Sequence, residues 1–204
     1  MSIRLHQRDL PAPIEGPAVV ALDTEAMGLD PHRDRLCVVQ LSTGDGNVDL
    51  VQIERGQTRA PNLEALLANE SIEKLFHFAR FDMGLLLATF GIMTRPVFCT
   101  KVASRLARTY TDRHGLKELA RELIGEDLSK QQQSSDWGAP TLTDAQRVYA
   151  ASDVLHLHAI KDKLVAMLER EGRTTLAQGV FDALPTRVAL DRAGWAGTDI
   201  FAHS

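Results

Sequence analysis

The chain has 204 residues, and 44% hydrophobic with 25% charged residues is ordinary for one folded globular unit. No apolar run approaches the ~18 residues of a membrane span, and the opening MSIRLHQRDLPAP carries charges and prolines where a secretion signal needs an apolar stretch. A formal net charge of −4 argues against a protein that coats long nucleic acid by charge alone.

In chain order, strand signals dominate the first quarter. Ala18 to Leu22 is a continuous apolar run, the pattern of a strand buried on both faces. Leu36–Leu41 and Val48–Ile53 read as two further strands, joined through Thr43-Gly44-Asp45-Gly46 as a hairpin. Pro61 opens a helix whose apolar face is Leu63, Leu66 and Leu67. Ile72–Phe78 reads as a strand, followed by a helix from about Arg80 to Phe90 that Gly91 closes. After a short strand at Val97-Phe98 the pattern is helical. Thr143 and Gln146 form a capping box that opens one long helix to about Arg170, stopped before Gly172. The expected fold is therefore α/β, with a mixed sheet of about five strands flanked by helices. One domain over 1–204 is expected, with a core at about 18–165 and a helical extension and tail from about 170.

The two cysteines, Cys37 and Cys99, lack metal-type spacing, which points to reduced thiols and a cytoplasmic location. A local basic strip runs from Lys101 to Arg121, with six basic residues against two acids. It reads either as a solvated helix face or as a nucleic-acid contact.

Chemistry-bearing residues fall at element ends. Asp23 and Glu25 are two apart on the first strand, so they share a face and lie about 6.7 Å apart along the chain. They sit at the carboxyl end of an apolar strand, where ligands gather in open α/β sheets. Two acids there are either solvated or hold a cation between them. Asp82 falls in the first turn of a helix, a position the helix dipole favours without any function. Tyr149 and Asp153 head a helical stripe that continues through Leu157, Ile160, Leu164 and Met167. A carboxylate on a buried stripe must be protonated, paired or metal-bound. The i, i+4 spacing stacks Tyr149 one turn above Asp153, and a Tyr–Asp hydrogen bond that closes the helix start is the alternative reading of that pair. Together the four acids supply hard oxygen ligands suited to two Mg²⁺ or Mn²⁺ ions, as in a clamp on a phosphodiester under displacement.

Asp23-Thr24-Glu25, Asp82 and Tyr149-x-x-x-Asp153 resemble the three exonuclease motifs of the DEDD superfamily, which has a ribonuclease H-like fold. Tyr149 fits the tyrosine subclass; the histidine subclass would place histidine where this chain has Val148. His77 to Asp82, Leu128-Ser129-Lys130 and Ser135-Asp136-Trp137 are similar to ribonuclease D relatives, and the likeness spans about residues 18 to 165. Glu25 to Asp30 resembles oligoribonucleases, whose equivalent of Leu29 wedges between two bases; a loop hydrophobe packed on the sheet is the other reading of Leu29. Size and motifs together resemble the compact nanoRNase C-type enzymes.

The resemblance implies a 3′-5′ exoribonuclease that hydrolyses short single-stranded RNA, down to dinucleotides, to nucleoside 5′-monophosphates. Asp23, Glu25, Asp82 and Asp153 would ligate two divalent cations, and Tyr149 would position the attacking water. The alternatives are a broader ribonuclease D-like enzyme trimming RNA or DNA ends, and a non-catalytic binding module of the same fold. His77, Trp137, His156 and His158 receive no role.

The C-terminal segment carries its own expectation. Leu184-Pro185 is expected to interrupt a helical stretch, and Trp195, Ile200 and Phe201 crowd into seven residues near the chain end. Burying those three side chains would contribute about 5–8 kcal/mol. They either dock on their own domain or anchor a neighbouring copy, and a homo-oligomer is the expectation.

Overall fold

The computed structural model describes residues 2–129 and 131–203. Its sheet contains β1 (Ile3–Gln7), β2 (Val19–Ala26), β3 (Leu36–Ser42), β4 (Val48–Gln52), β5 (Glu73–Phe76) and β6 (Val97–Cys99). Their spatial order is β1-β4-β3-β2-β5-β6. The antiparallel meander β2-β3-β4 and the parallel additions β5 and β6 match expectation. Every residue of β3 and β4 is buried, which explains their lack of strand alternation.

The sheet has six strands rather than about five. The missed one, β1, pairs in parallel with β4 at the sheet edge. Its sequence does alternate, with Ile3 and Leu5 packed toward the core and Arg4 and His6 between them. Both polar side chains converge on Asp49 of β4, at 2.7 Å each from Arg4 Nε and His6 Nε2. A carboxylate distant in sequence thus stabilises a strand too short to announce itself.

The helices are α1 (Pro61–Ala68), α2 (Ala79–Phe90), α3 (Thr100–Ala107), α4 (Leu116–Leu119), α5 (Asp144–Leu155), α6 (Leu157–Arg170) and α7 (Thr174–Leu190). Pro61 starts α1, Gly91 closes α2 at φ 72°, and the capping box of α5 forms from both sides. Successive residues of β2 face opposite ways, and α2 meets Thr24 while α5 faces Asp23 and Glu25. Helices therefore flank this strand on both sides.

Two helical expectations are corrected. The long helix from 144 to 170 is broken at His156 (φ −98°, ψ −5°), so that α5 packs over β1 to β4 while α6 packs on α3 and β5. Periodicity survives the break because Asp153, Leu157 and Ile160 keep helical spacing across it. Pro185 does not interrupt α7, which continues to Leu190 with Phe181, Leu184 and Val188 buried. Phe181 packs on Phe98 with ring centroids 4.6 Å apart, and such packing offsets the hydrogen bond that proline removes.

Candidate active site

Strand β2 delivers Asp23 and Glu25, and α5 brings Asp153 over them. One carboxylate oxygen from each lies within 4.8 Å of the other two. Asp23 Oδ2 also accepts a 2.7 Å bond from Gln40 Nε2, its cross-strand partner on β3. Gln40 is completely buried, and its signal in the sequence is a lone amide inside the apolar run Leu36–Leu41.

Asp82 stands apart from that trio. It is 2% exposed and accepts a 2.6 Å hydrogen bond from the Thr24 hydroxyl, on the side of β2 that α2 covers. Its charge still acts on both Asp23 and Glu25. Thr24, unremarked between the two acids, is thus the link from the fourth carboxylate to the strand.

Burial and mutual repulsion hold all four acids above the usual carboxylate range. Asp23 is pushed well up, first by burial and then by the charges of Asp82, Asp153 and Glu25. Glu25 rises to about 9, again by burial first and then by Asp153 and Asp82. Asp82 and Asp153 rise to about 7 through burial, against the pull of hydrogen bonds from Thr24 and Tyr149 respectively. Such crowding is costly without a compensating cation. The hard-oxygen donor set fits a divalent ion of the Mg²⁺ or Mn²⁺ type.

These acids, except Asp82, line a cavity of about 620 Å³ together with Tyr149, Leu29 and His77. The Tyr149 hydroxyl bonds Asp153, and burial raises its pKa, so it stays protonated. Trp137, 2% exposed, packs on the Tyr149 ring at 5.9 Å between centroids, which accords with a core role. His77 Nδ1 lies 2.9 Å from the Thr100 hydroxyl, which itself donates to Phe76 O. Burial and the charge of Lys101 push His77 down to about 3, so its ring is neutral.

Leu29 is 87% exposed rather than packed on the sheet. Its loop is braced by Asp34, whose carboxylate accepts the Asp30 amide at 3.0 Å. A Cβ at Gly28 would fall 2.1 Å from Asp34 Oδ2, so any larger residue there would have to displace the carboxylate that braces the loop. The basic strip divides. Lys101 and Lys117 line the cavity, whereas Arg108 is fully buried and anchors the segment after α3 through Arg113 O and Glu122. Leu128 and Ser129 also line the wall, and Lys130 lies outside the described residues. His156 marks the helix break, and His158 packs beside Gly44, away from the acids.

A family profile described as 3′-5′ exonuclease matches residues 7–169. The chain belongs to that family. The ribonuclease D of Gluconacetobacter diazotrophicus is 38% identical over 154 residues, which cover 76% of this chain and 39% of that protein. The chain thus spans about two fifths of the length of such curated relatives. Among solved structures, Brucella melitensis NrnC with bound Mg²⁺ is 57% identical with a TM-score of 0.95, and the same protein bound to pGG is 58% identical at 0.96; each match covers 100% of both chains. Escherichia coli RNase D, an exoribonuclease involved in structured RNA processing, is 29% identical with a TM-score of 0.75, over 84% of this chain and 45% of its own. The domain is thus an exonuclease of the ribonuclease D and NrnC type, with a ribonuclease H-like fold.

Proposed function

We propose that the protein is a metal-dependent 3′-5′ exoribonuclease acting on very short single-stranded RNA, dinucleotides included. The observation that carries this reading is the convergence of Asp23, Glu25 and Asp153 within 4.8 Å on the floor of a cavity whose rim bears the exposed Leu29. Its volume falls in the ~300–1,000 Å³ range of small-ligand pockets, which suits a few nucleotides better than a long strand. The pGG-bound NrnC relative supports the same substrate class.

Asp23, Glu25 and Asp153, with Asp82 behind them, would hold two divalent cations. Those ions, when bound, supply Lewis-acid activation at the phosphate and the attacking water. Tyr149 holds that water through its protonated hydroxyl, itself oriented by Asp153. Water adds to phosphorus and the P–O3′ bond breaks, which releases a nucleoside 5′-monophosphate and leaves a free 3′-hydroxyl on the shortened strand. Leu29 enters between two bases, and Lys101 and Lys117 offset phosphate charge along the wall. Buried, unpaired Cys37 and Cys99 accord with a cytoplasmic location.

Comparing hydrolysis of a dinucleotide with that of a 20-mer, with and without chelator, tests the reading. Faster, chelator-sensitive cleavage of the dinucleotide is expected. Equal rates on both would instead favour a general trimming exonuclease, and no cleavage a binding module.

A homo-oligomer belongs to the same proposal. Trp195, Ile200 and Phe201 are 47%, 46% and 91% exposed, so the tail does not bury them on its own domain. Its backbone is nevertheless held: Arg80 and Arg187 both bind Asp191 and donate to Ala196 O. A fixed, apolar, uncovered segment suits a neighbouring copy. Sedimentation should show an assembly that loses subunits when residues from Gly194 onward are deleted; a wild-type monomer rejects the idea.

A further inference from the structure

Among the described residues other than glycine, Arg8 and Phe78 hold positive φ. Phe78 has φ 67° and ψ 44°, a left-handed conformation that is strained for any residue with a Cβ and costliest for bulky ones. It also occupies the N-cap of α2, where Ser, Asp, Asn or Gly would suit the free amides, and it makes no side-chain cap bond. Burial does not offset the strain. Phe81, one turn on, packs against the core, whereas Phe78 stays 44% exposed. Neither local conformation nor packing accounts for a phenylalanine here. Its ring lines the acid-floored cavity, and the Lys101 ammonium sits 4.4 Å from its centroid.

We propose that Phe78 is a stacking platform for a base of the substrate, held out of the core by its left-handed backbone and backed by Lys101. Every base presents a π-face, so the contact contributes affinity without selecting sequence. The cation on the ring adds attraction that a bare apolar rim lacks. The strain is the cost of keeping an aromatic ring in the cavity at a junction where glycine would fold more easily. This inference rests on the cavity being a nucleotide site; it does not need the preference for short substrates.

The test compares wild type, Phe78→Gly and Phe78→Trp on an intact dinucleotide and on dinucleotides lacking one or the other base. Phe78→Gly should raise KM about 5- to 150-fold with kcat nearly unchanged, the range measured for a single base–aromatic stack. Its melting temperature should hold or rise, because glycine relieves the left-handed backbone. Phe78→Trp should keep KM near wild type. Removing the stacked base should make wild type and Phe78→Gly behave alike. An unchanged KM in Phe78→Gly overturns the proposal, as does a lowered melting temperature with kcat lost in proportion, or a KM penalty that survives removal of either base. If wild type cleaves a dinucleotide and a 20-mer equally, the short-substrate reading fails while the Phe78 comparison stands, since any single-stranded end carries a base.

Discussion

The floor and the rim of the cavity are built on opposite principles. On the floor, Asp23, Glu25 and Asp153 come from a central strand and a packed helix, and the fold forces like charges together. On the rim, Leu29 and Phe78 come from a loop and a strained junction, and both side chains remain in solvent. Rigid elements tolerate an electrostatic penalty that a loop would relax away, so charge chemistry sits where the backbone cannot yield. Shape recognition sits where side chains can adapt. On the proposed reading, floor substitutions should alter turnover and rim substitutions should alter binding.

The largest expected effect is Asp153→Asn, which removes one floor charge at constant volume. Turnover should fall by orders of magnitude, while the chelated variant melts at or above the wild-type temperature because repulsion is relieved. Wild-type turnover in that variant would break the distinction outright.

Next comes Tyr149→Phe, which deletes only a hydroxyl. Single-turnover kinetics should slow by about 10²–10⁴-fold if the hydroxyl assists proton transfer, with dinucleotide and metal affinity kept. Lost metal affinity with an unchanged chemical step would make Tyr149 a structural brace for Asp153.

Leu29→Ala probes the rim. Truncating an exposed leucine should not lower stability, yet KM for a dinucleotide should rise about tenfold, the worth of one modest apolar contact. A matching fall in kcat would mean that the rim also aligns the reacting phosphate.

A pH trend in the chelated protein probes the floor by stability alone. The unfolded carboxyls ionise near 4, whereas folded Asp82 and Asp153 hold protons to about 7 and Glu25 to about 9. Between those limits the unfolded state has shed protons that the folded state retains, so stability should fall as pH rises from about 4 to 9. Urea midpoints should show this decline, and excess Mg²⁺ should flatten it. A midpoint that rises with pH under chelation would contradict a repulsive floor.

Much of this organisation follows from local pattern. An apolar run ending in Asp-Thr-Glu, a Thr–Gln capping box and a Tyr–Asp pair one turn apart specify their own geometry through strand and helix periodicity, and the structure realises each of them. Local pattern also placed Gly91 at the end of α2. What only the tertiary structure decided are pairings between distant residues and the deviations they impose. Asp49 recruits β1 from 45 positions away in sequence, Gln40 steadies Asp23 through strand register, and Thr24 ties Asp82 to the strand that carries Asp23 and Glu25. The break at His156 arises because α5 and α6 pack on different partners, and α7 carries Pro185 because its buried face outweighs one missing hydrogen bond. Phe78 is the sharpest case. Its sequence neighbours predict an unremarkable strand end, and only the surrounding fold can impose a left-handed phenylalanine, because that conformation runs against the residue's own preference.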